Sequence, residues 1–104
     1  MKALRTTFVA TLLAAAACCA HASKALAEKN GCFGCHAVAS KLVGPAYKDV
    51  AAKYADQADA KALLAKSIRS GGSGKWAEVP MPPQAQLSEA DAGKLAAWIL
   101  SGAK

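Results

Sequence analysis

What this chain lacks narrows its class before any motif is read. No uncharged run at its N-terminus reaches the roughly 20 residues a membrane-spanning helix needs. The stretch from Thr6 to Ala20 stops short of it. Lys2 and Arg5 precede that stretch, and Ala20-His21-Ala22 supplies the small-x-small pattern of a signal peptidase site. Residues 1–22 are therefore expected to be a cleaved signal peptide, leaving one domain, 23–104, exported to the periplasm without stable membrane insertion. A lipoprotein reading of Cys18 is opposed by Ala15, which stands where leucine is usual.

Beyond the leader the shortages continue. All three threonines lie within the first 22 residues, and the remaining 82 hold four valines and two isoleucines against nineteen alanines. So few β-branched residues favour helix over sheet, and the expected fold class is all-α. A chain of 82 residues is near the lower limit for a self-sufficient core, so something else should help to fill it. Of 13 basic residues, Lys2 and Arg5 leave with the leader; the other 11 stand against 7 acidic ones, a charge of +4. No block of like charge accompanies this mild excess, and nucleic acid is not an expected partner. There is no internal repeat and no low-complexity segment.

Four helices are expected. "SKALAEKN", Ser23 to Asn30, reads as the first, with Gly31 suited to a left-handed ending. His36 to Gly44 has no sustained period and reads as loop. Gly44-Pro45 opens the second helix, "AYKDVAAKYA". Asp59 is a candidate N-cap for a third helix running to Ser70, with Leu64 and Ile68 four apart on one face. The fourth starts at Ser88, where Asp91 completes a capping-box pattern, and Gly102 marks its stop. Its stripe of Leu95, Trp98 and Ile99 reads as core. A long connection rich in glycine and proline separates the last two helices, and a loop of that length in so small a domain usually has a function. At its centre is "VPMPP", Val79 to Pro83.

"CFGCH", Cys32 to His36, is the chemical signature. Cys18 and Cys19 leave with the leader, so these are the only two exported cysteines, and His36 is the only exported histidine. A zinc site would have to recruit a carboxylate to reach four ligands. A thioredoxin-like dithiol belongs in a strand-helix-strand unit, and no strand pattern is present. Covalent haem attachment accounts for both thiols and the histidine: the thiols add to porphyrin vinyl groups and the adjacent histidine lies beneath the iron. A large apolar macrocycle would also supply the missing core.

For the sixth position of such an iron, lysine would have to give up its proton, and Met81 is the only thioether beyond the leader. Pro80, Pro82 and Pro83 fix their own φ angles and push Val79 and Met81 towards extended geometry. A ligand on such a segment is preorganised. Core packing is the alternative role for a lone methionine. The glycines at 71, 72 and 74 leave the start of the same loop free to move.

With these residues in place the chain resembles the class I cytochromes c, more narrowly the short bacterial monohaem type that donates electrons to periplasmic nitrite reductase or a terminal oxidase. "KNGCFGCHAV", "KLVGPAYKDVAAKYA", "SGKWAEVPMPP" and "LAAWILSG" carry the resemblance from about Leu26 to Ser101. It implies a single cytochrome c domain of about four helices wrapped around one covalently attached haem c. Cys32 and Cys35 would form its thioethers, and His36 and Met81 would be axial iron ligands. It further implies that the Pro45 carbonyl accepts a hydrogen bond from the ligand histidine and that the Trp76 indole hydrogen-bonds a haem propionate.

Two positions depart from the family's pattern. Ser67 stands where a basic residue often pairs with a propionate, with Lys66 and Arg69 close by. Ala27 replaces an aromatic residue, which should loosen contact between the first and last helices.

The function expected is one-electron transfer, not enzymatic turnover, by a monomer. Partners would be redox proteins such as nitrite reductase, a terminal oxidase or a membrane quinol-cytochrome c reductase. Lys29, Lys41, Lys48 and Lys75 could surround the docking face. The alternative is a small haem enzyme or gas sensor with a labile methionine ligand.

Overall fold

A computed structural model of the chain describes residues 20–76 and 78–104. Most of the expected signal peptide lies outside the described residues. Among the described residues there are four α-helices, α1 over residues 20–29, α2 Tyr47–Tyr54, α3 Ala60–Ser70 and α4 Glu89–Leu100, with a single 3-10 turn, Cys32–Gly34, after α1. The all-α expectation holds. α1 reaches back to residue 20, ahead of the expected start at Ser23. Its C-terminus matches the expectation: Gly31 takes φ 73°, left-handed, and its N–H donates to Glu28 O at 3.1 Å.

The starts of α2, α3 and α4 treat their unpaired N–H groups differently. At α4, Ser88 Oγ accepts from Asp91 N at 3.0 Å. The capping box is only half formed, because the Asp91 carboxylate faces Lys94 at 3.7 Å. Asp59 occupies the N-cap of α3 without any side-chain hydrogen bond. α2 has alanine at its N-cap and no side-chain acceptor to offer. Its first N–H groups are taken instead by the preceding loop: Tyr47 N donates to Ala37 O and Lys48 N to Val38 O, both at 3.0 Å. That solution ties α2 to the residues just after His36.

α4 packs against α3 and, less extensively, against α2. Its expected stripe is the heart of the core: Leu95, Trp98 and Ile99 are all buried, with Leu64 and Ile68 of α3 and Val50 and Tyr54 of α2. Ala27 is completely buried and joins the same core cluster. The aromatic contact with α4 comes from the motif itself. Phe33 packs edge-on against Trp98, centroids 6.3 Å apart, and against Tyr47 at 6.0 Å. Trp98 Nε1 is buried with no hydrogen-bond partner, which makes this core position costlier than its apolar surroundings suggest.

Candidate functional site

The C-x-x-C-H segment is wound into a compact turn. Gly34 N donates to Gly31 O at 3.0 Å, and His36 N to Cys32 O at 2.9 Å. Gly44 N donates back to Cys35 O at 2.7 Å, which closes the irregular loop between them. Cys35 is exposed, Cys32 is half-buried, and both thiols are free. Burial pushes the Cys32 thiol up from its ordinary value, partly offset by a hydrogen bond with Tyr47.

His36 is held on three sides. Its Nδ1 lies 2.8 Å from the carbonyl oxygen of Pro45. A carbonyl can only accept, so Nδ1 carries the proton and the Nε2 lone pair of the neutral ring is left free. Tyr47 stacks on the imidazole, centroids 5.1 Å apart and planes 15° from parallel. Gly44 fills the third side by having no side chain. A Cβ there would fall 2.5 Å from Cε1 and 2.9 Å from each ring nitrogen. Pro45 precedes the N-cap of α2 and is outside the helix, which is why its carbonyl is available to the histidine.

The second half of the site is the loop after α3. Gly71 ends that helix with φ 71° and ψ −174°. Gly72 and Met81 then form an isolated antiparallel bridge, Gly72 N to Met81 O at 3.1 Å and Met81 N to Gly72 O at 2.8 Å. This corrects the expectation of a loose loop start. The glycine-rich strand is fastened to the methionine it precedes. Gln84 N donates to Ile68 O at 3.1 Å and fixes the far side of the prolines to α3.

These two halves line one cavity of about 350 Å³. Cys32, Cys35, His36, Pro45, Trp76 and Met81 all contribute to it. Its apolar lining includes Val50, Leu64, Ile68, Leu95 and Ile99, so the core stripes of α2, α3 and α4 face a space as well as one another. The volume is within the ordinary range for a ligand pocket. Among the described residues no group of three or more His, Cys, Asp and Glu could by itself hold a metal ion, and the zinc reading gains no support. No described helix is long and apolar enough to cross a membrane.

The family model for cytochrome c matches residues 20–103. This chain belongs to the cytochrome c family. Cytochrome c-552 of Nitrosomonas europaea is 53% identical over 95 residues, 91% of each chain, and cytochrome c-551 of Pseudomonas aeruginosa is 54% identical over 76 residues, 73% of this chain and 72% of that one. The crystal structure of the Nitrosomonas europaea cytochrome c552 superposes with a TM-score of 0.73 at 55% identity, covering 75% of this chain and 96% of that one. The resemblance to small class I monohaem cytochromes is thereby borne out.

Membership brings one covalently attached haem with its iron. The residues present fit it. Two free thiols, an imidazole with its Nε2 lone pair free and a thioether line the same apolar cavity, with no acidic side chain among them. The cations expected near Ser67 are placed otherwise. Arg69 donates to Leu87 O at 3.1 Å and pairs with Glu89 at 3.4 Å, and neither Arg69 nor Lys66 lines the cavity. Ser67 does line it. Sequence reasoning missed the Tyr47 stack, the steric role of Gly44 and the bridge to Gly72. Of these only Gly44 had a local signal, since it directly precedes the proline.

Proposed function

We propose that the protein is a periplasmic electron carrier whose haem is held by Cys32 and Cys35 and ligated by His36 and Met81. The observation that carries this reading is the convergence of those four side chains on one apolar cavity, with each axial candidate fixed by backbone contacts. When bound, the haem supplies an iron that alternates between ferric and ferrous by one electron. Everything else is done by the chain. Cys32 and Cys35 each form a thioether, anchoring the ring through one short turn. Pro45 keeps the proton on Nδ1, so that Nε2 is presented to the metal with its lone pair free. With the haem bound, the Met81 thioether would favour the ferrous state and raise the potential relative to bis-histidine ligation. Trp76, half-buried at the cavity, is suited to donate its indole N–H to a haem propionate.

Little reorganises between the two oxidation states if both ligands are fixed in this way. That is the property a carrier needs and an enzyme, which must open a coordination position, does not. Electrons would pass from respiratory-chain donors, such as a membrane quinol-cytochrome c reductase, to a nitrite reductase or terminal oxidase. Exposed Val43 and Val79 at the cavity rim offer an apolar contact, and exposed Lys29, Lys41 and Lys48 offer charge to acidic partners. The Lys2 and Arg5 leader supports export.

One preparation tests the reading. Mass measurement should show one haem added covalently, and the ferric spectrum should show the weak near-infrared band of an iron-thioether bond. Met81→Ala should abolish that band, lower the potential and admit carbon monoxide. A high-spin ferric parent that binds carbon monoxide rapidly when reduced would instead indicate a gas binder or small haem enzyme.

A further inference from the structure

Lys75 is the one lysine or arginine among the described residues that line the cavity. The other titratable groups lining it are Cys32, Cys35, His36, Tyr47 and Tyr54. Lysine side chains on glycine-rich loops are ordinarily mobile, but this one is tethered. Its Nζ donates to Tyr54 Oη at 3.0 Å, 21 residues away, and lies 5.6 Å from the Tyr54 ring centroid. Tyr54 is buried on α2, so the ammonium is fixed by a helix and not by its own loop. Immediately beside it, Lys53 Nζ sits 4.3 Å over the ring of Trp76. One corner of the cavity therefore holds an indole, a phenol and the Lys75 ammonium, drawn from α2 and the loop, while the Lys53 ammonium lies against the indole outside the lining.

The side facing α3 is different. Ser67 offers only a hydroxyl, Arg69 is occupied by Leu87 O and Glu89, and Lys66 is exposed away from the cavity. Glu78, the acidic residue nearest in sequence on the loop, is exposed and does not line it. A c-type haem brings two carboxylates into this apolar space, and a carboxylate there needs a counter-charge or hydrogen-bond donors. An ammonium that spends one N–H on Tyr54 has two more to give.

Building on the haem-carrier reading, we propose that Lys75, positioned by Tyr54, is the cation that pairs with a haem carboxylate in this protein, in place of a cation from α3. The consequence is that the carboxylate's counter-charge and the thioether of Met81 are carried by one loop, which the Gly72–Met81 bridge closes.

The test measures the iron's midpoint potential against pH in the purified holoprotein, for the parent and for Lys75→Gln, Lys75→Arg, Tyr54→Phe and Lys66→Gln. Removing the paired cation should move the acid-side inflection of the profile up by about one pH unit or more in Lys75→Gln. Lys75→Arg should restore the parent's inflection, and Tyr54→Phe should move it in the same direction as Lys75→Gln but less far. Lys66→Gln changes the net charge equally and should leave it in place. An unmoved inflection in Lys75→Gln, or a larger movement in Lys66→Gln, overturns the assignment. The near-infrared band is recorded on every sample: its absence from the parent would fault the carrier reading, whereas an intact band with an unmoved inflection faults Lys75 alone.

Discussion

Replacing Gly71 by alanine should cost several kcal/mol, while the same change one residue later should cost almost nothing. Gly71 has φ 71° and ψ −174°, a region essentially reserved for glycine, where another residue carries about 1–3 kcal/mol of strain. A Cβ there would also lie 2.5 Å from the carbonyl oxygen of Met81, 2.8 Å from Pro83 N and 3.0 Å from the Pro82 carbonyl carbon. All three are backbone atoms, so no side chain can swing aside to make room. Relief requires residues 81–83 to move away, which stretches the two hydrogen bonds of the Gly72–Met81 bridge, each worth about 0.5–1.5 kcal/mol net. The combined penalty is on the order of 2–6 kcal/mol. Gly72 has no positive φ, and a Cβ there meets nothing within 4 Å. Gly72→Ala should range from neutral to a gain of roughly 0.4–1 kcal/mol through the unfolded chain. Guanidinium unfolding of the ferric holoproteins, followed by far-UV circular dichroism, gives both values. If the two variants agree within about 1 kcal/mol, the loop is not fastened where the bridge indicates.

Gly44→Ala should cost roughly 1–3 kcal/mol and perturb the haem spectrum, because its Cβ overlaps an imidazole that cannot turn without losing Pro45; unchanged stability and spectrum would mean that His36 is not pinned. The Tyr47 phenol is held well above its ordinary range, chiefly by burial, the cause that persists when Cys32 is a thioether. Being an acid whose folded value is raised, it contributes stability that is intact below about pH 10 and lost as pH rises beyond it. Tyr47→Phe should therefore move the midpoint of alkaline unfolding upward, and an unmoved midpoint refutes this. Ser88→Ala should cost about 1 kcal/mol by removing a formed cap, and Asp59→Ala distinctly less; equal losses would show that the two caps do not differ as the hydrogen bonds indicate.

The legible features were those fixed by local chemistry or by scarcity. α4 could be bounded because Ser88 caps its own helix, and α3 because glycine follows Ser70. Cys32, Cys35, His36 and Met81 could be singled out because beyond residue 22 the sequence has no competitors of their kind. What stayed hidden depends on groups brought together only by folding. The start of α2 is satisfied by the carbonyls of Ala37 and Val38, and no side chain announces it. Tyr54 and Lys75 meet across 21 residues, and nothing near either one foretells the contact. Glycine was the most misleading residue: in sequence Gly71 and Gly72 look like the same freedom, but one has a required conformation and the other lends its backbone to a bridge.

Across residues 80–83 only Met81 has a backbone N–H to give, since the other three are prolines. That one donor is spent on Gly72 O at 2.8 Å. The residue that offers the thioether is thus also the only one in the run whose N–H can hold the run in place. Its proposed role as ligand and its backbone role can be separated. Met81→Ala removes the sulfur and keeps the backbone pair, so a fall in potential there reports the ligand alone. Gly71→Ala keeps the sulfur and displaces the backbone, so a weakened near-infrared band in that variant reports positioning alone. If ligation depended only on the presence of a thioether, the second variant would keep a full-strength band despite its lost stability; a rigid mount requires the band and the bridge to fail together.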